Sequence, residues 1–114
     1  MIHKDKLTNA RAEIAKLLTK ANIPLSSIQA AKIYYGSESC PLSERDWIML
    51  YPGHTDEEFT KWFLVMNEIN YYQGYGAQHL FGTIWLKNGL WMTRGEYDGS
   101  EWWDLHKRPP LPKR

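Results

Sequence analysis

The chain has 114 residues, room for one domain, and at this length about two-thirds of the unfolded surface is buried without disulfide or metal staples. A 43% apolar share argues against disorder. Five bases against two acids in residues 1–22, four bases in 106–114, and eleven acids against five bases between them do not make the one-sided basic footprint of a nucleic-acid binder. A single cysteine, no signal-peptide pattern in Met1-Ile2-His3-Lys4-Asp5-Lys6 and no apolar run of about 18 residues predict a soluble protein of a reducing cytoplasm, away from membranes.

Residues 5–22 read as a helix, because Leu7, Ala10, Ile14, Leu17, Leu18 and Ala21 form one apolar stripe that Asn22 and Pro24 end. Residues 27–35 read as a strand, 36–41 as a loop, and Trp47-Ile48-Met49-Leu50-Tyr51 as a second strand before Pro52-Gly53. Thr55 and Glu58 make a capping box, with Asp56 and Glu57 suited to the helix dipole in the first turn. Phe59, Trp62, Phe63, Met66 and Ile69 then follow at helical spacing. A second helix is expected over 56–70, stopped by Gly74-Tyr75-Gly76.

The remainder reads as a three-stranded meander, 80–87, 90–97 and 100–106, joined at Asn88-Gly89 and Asp98-Gly99, dipeptides that favour two-residue hairpin turns. Those turns set a register in which Trp85 faces Met92, Thr83 faces Arg94, Arg94 faces Trp103, Gly95 faces Trp102 and Glu96 faces Glu101. One sheet face then collects Phe81, Trp85, Met92, Arg94, Trp103 and Leu105, and the other Ile84, Leu86, Trp91, Tyr97, Trp102 and His106. Both are aromatic, so either the two helices cover opposite faces or one face awaits a partner. The supply of two helices favours the first arrangement. The expected fold is α+β, two helices packed on an antiparallel sheet that ends in the meander. Its domain is 1–106, followed by a basic Pro-rich tail over 107–114.

Catalytic patterns are absent: no nucleophile elbow, no zinc-protease helix, no phosphate loop and no paired cysteines. Glu96 opposite Glu101 could raise one carboxyl pKa, as in an acid/base or metal site, although both side chains pointing to water, or Arg94 sitting between them, is the simpler arrangement. His3, His54, His79 and His106 show no recognised ligand spacing, and Cys40 shows no neighbouring base. Arg94 opposite Trp103 predicts a cation–π contact, either capping an aromatic cluster or taking part in a binding surface. Pro109-Pro110-Leu111-Pro112 favours a polyproline conformation, as a strap against Trp residues or a plain tail.

The segment from Trp85 to Trp103, with its Gly95-Glu96-Tyr97-Asp98-Gly99-Ser100-Glu101-Trp102-Trp103 core and the later Pro110 and Pro112, resembles the C-terminal part of small proteins of tailed phages and prophages. The resemblance covers about a third of the chain and brings no established activity. It implies an accessory protein that acts in an infected bacterium by binding and redirecting a host or phage macromolecule, a defence system included. The expected function is therefore non-enzymatic binding of a protein partner, with Trp85, Arg94, Glu96, Tyr97, Glu101, Trp102 and Trp103 as the candidate binding residues and no cofactor or metal. Two rivals stand beside it: a small metal-dependent or acid/base enzyme using Glu96, Glu101 and a histidine, and a single-stranded nucleic-acid binder that stacks bases on Trp.

Overall fold

A computed structural model of the chain describes residues 7–72, 77–97 and 100–107. Asn9 begins the first helix: its side-chain oxygen accepts the Ala12 N–H at 3.0 Å, and its side-chain amide donates to the Asn67 carbonyl and to Asn70 Oδ1. Thr8–Asn9 is the short strand β1 and Ala10–Lys20 is helix α1. The helix thus starts five residues later than its apolar stripe predicts, and Leu7 stays exposed. The reason is competition, because Thr8 and Asn9 pair with Tyr71 and Asn70 instead of continuing the helix. Asn22, at φ 64°, closes the other end, where Ile23 N–H reaches back to the Leu18 carbonyl at 2.8 Å.

Ile28–Tyr35 forms β2 and Ile48–Leu50 forms β3, both where expected. Helix α2, Asp56–Asn67, has the complete capping box: Thr55 N–H donates to Glu58 Oε1 at 2.7 Å, and Glu58 N–H donates to Thr55 Oγ1 at 3.1 Å. It ends before residue 70 because Asn70–Tyr71 is strand β4, the partner of β1. The Gly74–Gly76 stop lies outside the described residues. Leu80–Leu86, Leu90–Tyr97 and Ser100–Lys107 are β5, β6 and β7. The five-stranded sheet is antiparallel throughout, in the order β3-β2-β5-β6-β7.

The β6–β7 register is as the sequence predicts: Arg94 opposite Trp103, Gly95 opposite Trp102 and Glu96 opposite Glu101. The Asp98-Gly99 dipeptide that sets it lies outside the described residues. The β5–β6 register is not as predicted. Asn88 and Gly89 both take positive φ, 64° and 74°, as their turn type requires. Beyond the turn, however, Trp85 lies opposite Trp91 and Ile84 opposite Met92, a slip of one residue. Leu86 supplies the extra residue on the β5 side, where it pairs with Ile28 of β2. Because side chains alternate with period two, that slip re-sorts the faces. Met92, Arg94, Trp103 and Leu105 share a face with Ile84 and Leu86, while Phe81 and Trp85 join Trp91, Tyr97, Trp102 and His106.

The re-sorting explains the second correction: both helices pack on one face. Ala10, Ile14 and Leu18 of α1 and Trp62, Phe63 and Met66 of α2 join Ile33, Leu50, Leu80, Ile84, Met92 and Trp103 in one core. Corrected, that sheet face carries the continuous aliphatic set, so a single layer of helices suffices to bury it. Close approach in the sheet interior needs Gly82, at φ 144°, because a Cβ there would sit 2.0 Å from the Lys32 carbonyl oxygen. Among the described residues no helix is long and apolar enough to cross a membrane.

Candidate functional site

The face opposite the helices carries a strip of aromatic side chains across the sheet. Across β5 and β6, Trp85 lies opposite Trp91 and is 43% exposed. Trp91 stacks on His106 of β7, with ring centroids 5.3 Å apart, and His106 Nε2 is 2.7 Å from Thr93 Oγ1. Trp102, 38% exposed, donates its indole N–H to Asp104 Oδ1 at 2.9 Å. Gly95 opposite makes room for this pair, since a Cβ there would stand 2.6 Å from both Trp102 Nε1 and Asp104 Oδ2. At the other end, Tyr34, Phe81 and Trp47 cluster with cations over them. The Arg45 guanidinium lies 4.5 Å from the Phe81 ring centre and 4.9 Å from that of Tyr34, and Lys32 Nζ lies 4.3 Å from that of Trp47. Arg45 is fixed there by donating to the carbonyls of Cys40 and Glu38. These are surface aromatic clusters suited to binding a macromolecule.

The seven residues expected to form one binding set divide between the two faces. Trp85, Tyr97 and Trp102 stand on the open face. Arg94, Glu101 and Trp103 belong to the covered face and are buried beneath the helices, while Glu96 shares their side of the strand but is exposed.

Arg94 is the hub of the buried group. Nη1 donates to Glu13 Oε2 at 3.1 Å, and Nη2 donates to Glu101 Oε1 at 2.7 Å and to the Tyr71 hydroxyl at 3.0 Å. Nε donates to the Leu80 carbonyl, and the guanidinium lies over the Trp103 ring at 5.0 Å, the expected cation–π contact. Glu101 also accepts the backbone N–H groups of His79 and Leu80, at 2.8 and 3.0 Å, and lies 3.2 Å from His79 Nδ1. The Tyr71 hydroxyl donates to Glu13. Burial works against the Arg94 charge, but Glu13, Tyr71 and Glu101 outweigh it and its pKa moves up. Burial also raises Tyr71; Arg94 opposes this and Glu13 adds to it, leaving the hydroxyl protonated well past the ordinary tyrosine range.

This network removes the motive for an acid/base pair at Glu96 and Glu101. They face each other as predicted, but both Glu101 oxygens are committed to Arg94 and the β5 entrance. Among the described residues, no group of three or more His, Cys, Asp or Glu is placed to hold a metal, which argues against the metal-dependent enzyme. His54 has both ring nitrogens against carbonyl oxygens, Ile28 at 3.1 Å and Thr55 at 3.4 Å. With His79 on Glu101 and His106 on Thr93, the described histidines have structural partners; His3 lies outside the described residues.

Sequence reasoning did not find the cleft at the β2–β3 end of the sheet. β3 stops at Leu50, opposite Ala31, while β2 extends back to Ile28 with a bulge between Ile28 and Ala30. The gap is a cleft of about 970 Å³, walled by Leu25, Ile28, Ala30, Leu50, Phe59 and Trp85, with Lys87 and Asp56 also lining it. Pro52-Gly53 was the available signal: Gly53, at φ 80°, turns the chain away there.

No family model matches the chain, and no curated protein or solved structure matches it significantly.

Proposed function

We propose that this protein is a non-enzymatic binding module, a phage-type accessory protein that captures and modulates a host or phage protein on its open aromatic face. One observation carries the reading: both helices lie on the same side, so among the described residues the aromatic strip from Phe81 to Trp102 has no helix layer of its own. Trp and Tyr offer large contact area at low conformational cost, and half-exposed Trp85 and Trp102 have the character of interface anchors. The phage assignment rests on the C-terminal string, and host takeover or inhibition of a host defence are examples of the modulation that such a protein would exert.

Affinity capture from a bacterial lysate, with the wild type beside Trp85→Ala and Trp102→Ala, tests the proposal. A stoichiometric protein that both substitutions release, in variants that keep the wild-type melting temperature, supports it. A partner held equally by all three chains sinks it.

A second reading, single-stranded nucleic acid, is favoured by the same helix-backed sheet together with Lys32 and Arg45 beside its aromatics. It predicts quenching of Trp fluorescence by oligonucleotides that weakens steeply with salt. No quenching at low salt removes it.

A further inference from the structure

We propose that the chain forms a two-fold symmetric dimer by pairing the free edge of β7 with the same edge of a second copy, Leu105 lying on the axis. The sheet ends in two edge strands, β3 and β7. The β3 edge is blunted: it is three residues long, and Pro52-Gly53 follows it, with Gly53 at φ 80° turning the chain away. β7 has neither device. It runs for eight residues, Ser100–Lys107, contains no proline, carries its one lysine at the last position and pairs with β6 residue for residue without a bulge. Half of its backbone N–H and C=O groups face away from β6, and among the described residues no strand receives them.

The side chains of β7 fit a copy of themselves in one register. A two-fold axis normal to the sheet sets residues of the same face opposite one another. Centred on Leu105, it places that side chain, 39% exposed, against its own copy, and Asp104 against His106 on both sides of the axis. Asp104 accepts the Trp102 indole N–H but makes no ion pair among the described residues. His106 spends Nε2 on Thr93, and Nδ1 has no partner among the described residues. In the dimer Nδ1–H donates to the facing carboxylate. Trp103 and Lys107 extend the ladder without opposing like charges. Centred on Asp104 instead, the strands would bring two carboxylates together; centred on Trp103, they would set Asp104 against Trp102 and His106 against Ser100. An apolar residue on the axis, flanked twice by acid against base, is what singles out a second copy as the occupant. The dimer stands independently of the protein-partner reading.

Sedimentation velocity of the full chain over a range of concentrations tests this. The expected result is a monomer–dimer equilibrium that Trp85→Ala, on the open face away from β7, leaves unchanged. Leu105→Lys, which sets like charges on the axis, weakens the dimer about tenfold or more. Asp104→Lys and His106→Asp each weaken it about threefold or more. Combined, they restore opposite charges across the axis and recover most of the wild-type affinity. Melting temperatures of the dilute variants keep folding separate from association. Should Leu105→Lys fail to fold, the charge cycle decides alone. A chain that stays monomeric up to about 1 mM overturns the proposal. So does a dimer that Leu105→Lys or the single charge changes leave intact, one that the combined change does not restore, or one that Trp85→Ala dissolves.

Discussion

Arg94 and Glu101 meet at 2.7 Å with side chains only 2% and 0% exposed, so their ion pair is a buried one. Pairs of this kind add little over an apolar replacement, yet removing one partner strands the other charge. Arg94→Ala leaves Glu101 and Glu13 without their cation. It is expected to cost about 3–5 kcal/mol, visible as a large drop in the urea midpoint. Arg94→Met with Glu101→Gln, which removes both charges, should cost less than the single Arg94→Ala change.

Alkaline titration reads the Tyr71 hydroxyl. Its pKa is raised in the folded protein, so the folded state holds a proton that the unfolded chain releases near pH 10. Its contribution is whole below that pH and falls as pH rises through the unfolded value toward the higher folded one. Thermal melts from pH 8 upward should lose stability more steeply in the wild type than in Tyr71→Phe. Parallel slopes would remove Tyr71 as the cause.

Gly82 tolerates no side chain. A Cβ would strike the Lys32 carbonyl oxygen and approach Ile33 Cα at 3.0 Å, and both are backbone atoms of the central strand pair. Gly82→Ala should cost about 3 kcal/mol or more and abolish a cooperative melt in so small a domain.

Gly95 presents the opposite case. The atoms a Cβ would meet there belong to the side chains of Trp102 and Asp104, which are free to turn outward. Gly95→Ala should cost only about 1 kcal/mol while breaking the Trp102–Asp104 bond. A red-shifted Trp emission with a retained melt is the expected signature. Partner binding should fall as it does in Trp102→Ala.

Much of this fold is legible in the sequence because its signals are local. The capping box at Thr55, the apolar stripes of both helices and the β6–β7 register follow from residues within a few positions of one another. The slip at Trp85 is not local: it depends on Leu86 pairing with Ile28, nearly sixty residues away. Without it the two faces look equally aromatic, and the helices are divided between them wrongly. The buried network was hidden for the same reason. Arg94 and Trp103 are neighbours in a predictable ladder, but Glu13 reaches Arg94 from the far end of the chain, and nothing near Glu13 marks it as other than a helix surface residue. Of the candidate site, Tyr97 and Trp102 were placed together by residue type and alternation, Trp85 was set on the wrong face by the slipped register, and the cleft required knowing where β3 stops short of β2.

The place of β2 in the sheet also bears on how the chain folds. β5, β6 and β7 are joined by short links and find each other quickly, whereas β2 must pair with β5 across a loop that contains β3, α2 and β4. Closing that loop costs chain entropy before the new ladder repays it. The meander is therefore expected to form early, with the docking of β2, and of β3 on its outer edge, as the slower step.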